Sequence, residues 1–294
     1  MSLVDELVPS RYAVQVGDVD VMVISDGVLP ITASTLATNV APADLSAWLK
    51  DMYLPPEVTD WPLNVAVVRS GEKTILVDSG LGTEFPGFPR AGQLAARLDA
   101  AGVDAASVTD VVLTHLHMDH IGGLLVDGLR GRLRTDLRVH VAAAEADFWE
   151  APDFSRTVMP APIPEVLRST AARFLDVYRG QLRTFESEYE VAPGVLVRRT
   201  GGHTPGHSVV RVESGGEALT FAGDAVFQPG FENPDWQNGF EHDPEESARV
   251  RVELLKELAA TGEQLVATHL PFPSLCHVAE AGNAFRFVPS VWDY

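Results

Sequence analysis

Short runs of β-branched and apolar residues recur along the chain, each bounded by glycine, aspartate or proline, and longer amphipathic segments separate them. The alternation predicts strands over 12–27 (YAVQVGDVDVMVISDG), 63–70 (LNVAVVRS), 73–80 (KTILVDSG) and 110–114 (DVVLT), with a helix over 92–102 (GQLAARLDAAG) before the last of these. The second half repeats the pattern, with strands over 137–142, 194–200, 207–214, 218–224 and 264–269 and a helix over 244–262. Strands in both halves with helices between them predict two sheets packed face to face and covered by helices, in a single α/β domain spanning 1–294. Residues 151–180 break the rhythm with prolines followed by a helical pattern. An inserted lid and an ordinary surface helical hairpin fit that stretch equally well.

One window carries chemistry. Residues 111–123 read VVLTHLHMDHIGG, placing three of the chain's nine histidines and an aspartate directly after an apolar strand. His115 and His117 are two apart, so in an extended segment both rings project to one side and can grip one ion. Asp119 and His120 follow at the start of a helix, where they can face a second ion. Histidines scattered through core or surface are the ordinary case for any one of them, but this grouping would leave several imidazoles without partners.

Composition narrows the classes further. The formal charge is −19, from 41 acidic and 22 basic residues, so most surfaces should repel phosphate backbones and anionic lipid, and no nucleic-acid or membrane partner is expected. No apolar run approaches the roughly 18 residues of a membrane span, and MSLVDELVPS lacks the regions of a signal peptide, so a cytoplasmic location is expected. The single Cys276 excludes an internal disulfide and reads as a small buried apolar residue.

VDSG at 77–80, THLHMDHIGG at 114–123, GGHTPGHS at 201–208, FAGDA at 221–225 and ATHLPFP at 267–273 match, in order, signatures of the metallo-β-lactamase fold superfamily, which the chain resembles over nearly its whole length. The resemblance implies a four-layer αββα sandwich with a metal site at the shared edge of its sheets. It also implies that His115, His117 and His203 ligate one ion, that Asp119, His120 and His269 ligate the other, and that Asp224 bridges them. Five neutral imidazoles, two carboxylates and a bridging hydroxide would carry about −3 against the +4 of two divalent ions, a locally positive site suited to holding hydroxide. Imidazole and carboxylate without thiolate fit two Zn2+ ions best, with iron, manganese or cobalt able to occupy the same shell. By the same likeness Asp78 steadies the histidine loop. His207, the later histidine of GGHTPGHS, supports the turn, while the earlier His203 is the ligand. His140 and His242 read as structural or surface residues.

EADFW at 145–149, THLPFPSLCHV at 268–278 and the terminal FRFVPSVWDY look like the branch containing methyl parathion hydrolase and the N-acyl homoserine lactone lactonases. That branch implies hydrolysis of lactones, aryl esters or phosphotriesters by the bridging hydroxide, with Asp119 and Asp224 in catalytic positions. Many lactonases of the branch have a tyrosine three residues after the bridging aspartate. Here Phe227 stands instead, which would favour substrates with good leaving groups. Phe227, Phe231, Trp236, Phe148 and Trp149, with His277, are candidates for an apolar pocket taking a small neutral hydrophobic substrate; ordinary core packing is the competing reading for each. A glyoxalase II-like thioesterase would need a cationic cradle that three lysines do not supply. An iron-dependent oxygenase of the persulfide dioxygenase type shares the ligand pattern and stays as the alternative, a non-enzymatic metal-binding protein is disfavoured because no ligand position is lost, and a homodimer is left open.

Overall fold

The computed structural model describes residues 9–85 and 87–292, so the N-terminal segment and the last two residues of FRFVPSVWDY lie outside the described residues. The first sheet consists of β1 (Arg11–Val16), β2 (Val19–Thr32), β3 (Val58–Ser70), β4 (Lys73–Val77), β5 (Asp110–Val112), β6 (Arg138–Ala142) and β7 (Leu182–Phe185), in that spatial order. The second consists of β8 (Glu188–Ala192), β9 (Val195–Arg199), β10 (Ser208–Ser214), β11 (Glu217–Phe221), β12 (Gln264–Val266), β13 (Cys276–Ala281) and β14 (Ala284–Pro289), again each beside its neighbour in sequence. Pairing from β4 to β7 and between β11 and β12 is parallel, and elsewhere it is antiparallel.

Alternation along the strands decides which faces meet. Val21, Val23, Val68, Ile75, Val77 and Val112 of the first sheet pack against Val195, Val197, Val210, Val212, Leu219 and Phe221 of the second, forming a dry central layer. On the outer side of the first sheet, Leu94 and Leu98 of the helix Leu94–Ala100 and Leu167, Phe174 and Leu175 of the helix Ile163–Tyr178 share a core with Val111, Val139 and Val141. On the outer side of the second, Leu254, Leu255 and Leu258 of the helix Pro244–Thr261 cover Val209, Leu265 and Val278. The result is the four-layer αββα sandwich that the motifs imply, with Cys276 buried in the last of these layers.

Several elements differ from the sequence reading. The single strand predicted over 12–27 is a hairpin, broken at Gly17 and Asp18 into β1 and the first part of β2, and 63–70 is part of a longer strand: β2 and β3 pair from Asp20↔Arg69 to Thr32↔Val58, with the register shifting between Ser25 and Gly27. Beyond this bulge the two strands form an arm that accommodates Pro30 and Pro62, a residue type that cannot donate to a ladder and is disfavoured inside strands. The strands β7, β8, β13 and β14 and the helix Pro42–Asp51 were not predicted. Within 151–180, residues 163–178 form a helix.

The bulge is held by a buried carboxylate. Asp26 Oδ2 accepts the backbone N–H of Leu81 at 2.9 Å and of Gly92 at 3.1 Å, and Oδ1 accepts that of Leu94 at 2.7 Å. Gly80 lies so close, with φ +69°, that a Cβ there would come within 2.4 Å of Asp26 Cγ. Burial pushes the Asp26 pKa up from 3.8 to about 6, while the three N–H donors and Arg97 restrain it. Since the folded pKa is raised, the native state binds the proton more tightly than the unfolded chain, and this group's contribution is greatest below about pH 4 and is lost as pH rises through 6. Asp26→Asn has no charge to gain there, so its denaturant midpoint relative to wild type should rise between pH 4 and pH 7; an unchanged difference across that range would refute the raised pKa.

Candidate metal centre

The carboxyl ends of β5, β11 and β12 open at one edge of the sandwich, and each is followed directly by a loop carrying polar side chains. After β5 come His115 and His117, then the short helix Met118–Ile121 with Asp119 and His120. Asp224 follows β11, His269 follows β12, and His203 lies in the turn between β9 and β10. Three overlapping sets, His115–His117–His203, His115–His120–Asp224 and Asp119–His120–His269, each have ligand atoms within 4.8 Å of one another. Asp224 lies between the halves: its Oδ2 is 3.4 Å from His203 Nε2 and 3.1 Å from His269 Nε2, and its Oδ1 is 3.3 Å from His120 Nε2. Asp119 Oδ2 lies 3.8 Å from His120 Nε2 and 3.6 Å from His269 Nε2.

The far nitrogens of these rings show which way each imidazole faces. His120 Nδ1 is 2.7 Å from Asp78 Oδ2, and Asp78 also accepts the Thr114 N–H and hydroxyl, both at 2.8 Å. His115 Nδ1 is 3.0 Å from the Thr114 oxygen, and His269 Nδ1 donates to the Pro62 carbonyl at 2.8 Å. With those nitrogens protonated, lone pairs on the Nε2 atoms of His115, His120 and His269 are left facing Asp224 and Asp119. His115 Nε2, His120 Nε2 and Asp224 Oδ1 are buried with no hydrogen-bond partner among the described residues. Polar atoms converging in this way are uncommon in a protein interior unless something else satisfies them.

The electrostatics divide along the same line. Burial, reinforced by neighbouring histidines, holds His115, His117 and His203 well below the usual histidine range. For His120 burial also opposes the charge, but Asp224, Asp78 and Asp119 outweigh it and raise its pKa well above 6.5. His269 is raised too, with Asp224 overcoming burial, and Asp224 is depressed by His269, His120 and His203 in spite of its own burial. The carboxylates thus draw positive charge to one half of the cluster, where a proton and a cation would compete for the Nε2 atoms of His120 and His269, while the other half favours neutral imidazoles.

Buried polar groups behind the loops hold them in register. Glu145 accepts Leu116 N–H at 2.9 Å, Trp149 Nε1 at 2.8 Å, the Thr204 hydroxyl at 2.6 Å and Gly206 N–H at 2.9 Å. It therefore ties the His115–His117 segment to the turn holding His203; burial raises its pKa against those four donors. Asn64 Nδ2 donates to the carbonyls of Thr268 at 2.9 Å and Leu270 at 2.7 Å, on either side of His269. His207 stands outside the three clustered sets, accepting the Asp224 N–H at 3.1 Å through Nε2 with its Nδ1 2.8 Å from Thr200 Oγ1.

The two remaining buried histidines compare differently with the sequence reading: His140 agrees with it, whereas His242 takes a place beside the cluster that it did not foresee. His140 is buried against Asp110 at 2.8 Å and stacked on Tyr189, a structural position. His242, read as structural or surface, is buried with its Nε2 3.0 Å from His117 Nε2, among Phe148, Trp149 and Phe154. Burial pushes its pKa down to about 4. Its polar sequence context, FEHDP, offers no period or strand end that would have flagged it.

A cavity of about 230 Å³ opens onto His117, Asp119, Asp224 and His269. Its apolar walls come from Leu29 and Ile31 of β2, Trp61 of β3, Ile163 and Leu167 at the start of the long helix, and Phe240. The six pocket candidates lie elsewhere. Phe227 is buried in the cluster of Leu36, Trp48 and Trp61 with the Arg251 guanidinium 4.3 Å from its ring, and Trp236 packs edge-on against Trp48. Phe231 packs on Phe287, Phe148 and Trp149 surround His242, and His277 Nδ1 lies 2.9 Å from the Gly262 carbonyl on another face. Phe148 and Trp149 lie in the last turn of a helix, and Phe231 and Trp236 lie in the loop before the long helix, so proximity along the chain did not place these rings on the cavity.

A family model described as the metallo-beta-lactamase superfamily matches residues 58–269. An N-acyl homoserine lactonase from Bacillus sp is 23% identical over 231 residues, 72% of this chain and 82% of that protein. Probable metallo-hydrolases of Mycobacterium bovis and Mycobacterium tuberculosis are 26% identical over 195 residues, 57% of this chain and 57% of theirs. Among solved structures, AidC, described as a dizinc quorum-quenching lactonase in complex with a product, superimposes with a TM-score of 0.88 at 26% identity, covering 97% of this chain and 99% of that one. The hydrolase AbOPH superimposes with a TM-score of 0.86 at 27% identity, over 98% of this chain and 99% of its own. The chain belongs to the metallo-beta-lactamase superfamily and, with these relatives, is a metallo-hydrolase.

Proposed function

We propose that the chain is a dinuclear hydrolase that opens lactones and related neutral esters bearing an apolar acyl limb. The observation that carries this reading is an apolar cavity whose floor is formed by the side chains of His117, Asp119, Asp224 and His269. In this reading His115, His117 and His203 hold one divalent ion, Asp119, His120 and His269 the other, and Asp224 contributes to both. The converging, unpartnered atoms His115 Nε2, His120 Nε2 and Asp224 Oδ1 fit that donor set. Zinc is the ion we favour, because imidazoles and carboxylates supply every donor and the similar AidC is described as dizinc. When bound, such ions supply Lewis acidity toward the substrate oxygen and lower the pKa of water toward neutrality.

The chain's own groups do the rest. Leu29, Ile31, Trp61, Ile163, Leu167 and Phe240 take up the apolar limb and exclude water from the reacting bond. Asp119, on the cavity side and less buried than Asp224, is the group we assign to take the proton of the attacking water and return it to the leaving alkoxide oxygen. The first two turns of the helix Ile163–Tyr178 form one wall, so part of the stretch 151–180 borders the cavity. The apolar lining and the likeness to lactonases favour lactones and acyl esters as the first class to assay.

Elemental analysis of purified protein should find about two equivalents of transition metal, with hydrolysis lost on chelation and regained with zinc; one equivalent at full activity would refute the dinuclear reading. Asp224→Ala should lower kcat/KM on an acyl lactone by at least about a thousandfold, whereas His140→Ala should keep its metal. Narrowing the cavity with Ile163→Trp should raise KM for long-chain acyl homoserine lactones more than for short-chain ones. Equal change for both chain lengths would place the acyl limb elsewhere.

A further inference from the structure

Every ring of the cluster except His203 turns its far nitrogen toward a partner, and for His117 that partner is another histidine. His117 Nδ1 is 3.1 Å from His203 Nε2, on the inner side, and His117 Nε2 is 3.0 Å from His242 Nε2, on the outer side. Only one of the two facing Nε2 atoms can carry the proton between them. A proton on His242 Nε2 would leave a buried lone pair on His242 Nδ1, in a ring packed within a box of Phe148, Trp149 and Phe154, whose centroids lie 5.1, 5.8 and 5.2 Å from its own. His242 Nδ1 has no hydrogen-bond partner among the described residues. Phe148 and Phe154 have no donor to offer that lone pair and the Trp149 N–H is already given to Glu145, whereas an aromatic ring can receive an N–H. The box therefore favours His242 protonated at Nδ1 and accepting at Nε2.

The backbone around His242 is fixed from several sides. Its own N–H donates to the His203 carbonyl at 2.8 Å, and the next residue, Asp243, donates to the Gly202 carbonyl at 3.2 Å. The preceding Glu241 is buried in an ion pair with Arg251 and accepts the Ser247 hydroxyl at 2.7 Å. Arg251 also donates to the carbonyls of Pro234 at 2.9 Å and Trp236 at 2.7 Å. Asp243 then caps the helix Pro244–Thr261 by accepting the Glu246 N–H. One short segment thus holds His117 through a side chain and His203 through the main chain.

We propose that His242 is a positioning residue that accepts the Nε2–H of His117 and keeps the Nδ1 lone pair of His117 turned toward His203 and Asp224. Its consequence for zinc rests on the dinuclear reading above; the tautomer assignment does not. His242→Phe fills the box and removes the acceptor, while His242→Gln restores an acceptor oxygen. In competition with a chromophoric chelator, His242→Phe should lose 10–100-fold in zinc affinity for one of two equivalents and keep the other, and His242→Gln should recover most of that loss. A nitrogen-15 spectrum of the zinc-depleted full-length protein should show His117 protonated at Nε2 in wild type and as mixed tautomers in His242→Phe. Wild-type affinity at both equivalents in His242→Phe, equal losses in the Phe and Gln variants, or His117 protonated at Nδ1 in wild type would each overturn the proposal. Should the wild type bind no zinc pair while His117 is protonated at Nε2, the hydrolase reading fails and the assignment to His242 stands.

Discussion

Burying several imidazole lone pairs and two carboxylates at one point is the constraint on which the rest of the structure depends. A buried polar atom without a partner costs on the order of 1–3 kcal/mol, and here several converge without one. A chain can hold such an arrangement only if the surrounding groups prevent the rings from rotating to find partners of their own. Asp78, Thr114, the Pro62 carbonyl and His242 engage the outer nitrogens, while Glu145 and Asn64 grip the main chain beside the rings. Much of the polar interior near the sheet edge is occupied in this way.

The sandwich supplies the rigidity that these contacts need. The loops bearing His115, His117, Asp224 and His269 leave β5, β11 and β12 as soon as those strands emerge from the apolar layer between the sheets, so few flexible residues separate a packed core residue from a ligand atom. Val112 is fully buried and His115 follows three residues later; Val266 is fully buried and His269 follows three residues later. Short tethers of this kind limit how far a side chain can stray.

Most of the cluster could be read from the amino-acid sequence because its members sit where strand patterns stop. His115, His117, Asp119 and His120 share one window, and His203, Asp224 and His269 each fall within a short signature beside an apolar run. The two-layer strand pattern was equally readable, since valine at every second position gathers on one face only when the chain is extended. What escaped was contributed by groups whose role depends on folding at long range. His242 sits in a polar loop and meets His117 only because a helix and a buried ion pair hold that loop against the turn of His203. The cavity walls escaped for a related reason: Leu29, Ile31 and Trp61 lie on an arm that continues past a bulge and through two prolines, each of which locally argues against a strand. The aromatic residues near the motifs were absorbed instead into neighbouring cores.

That arm has an evolutionary consequence. Most of the residues that confront the cluster with its apolar wall belong to β2, β3 and the start of one helix, none of which contributes a clustered histidine or aspartate; Met118, between His117 and Asp119, and Phe240 are among the exceptions. Reaction and selectivity are thus written largely, though not wholly, in separate stretches of chain. Drift in the arm can change the shape of what enters while the chemistry beneath stays intact, which gives a lineage a way to explore new compounds without passing through inactive intermediates.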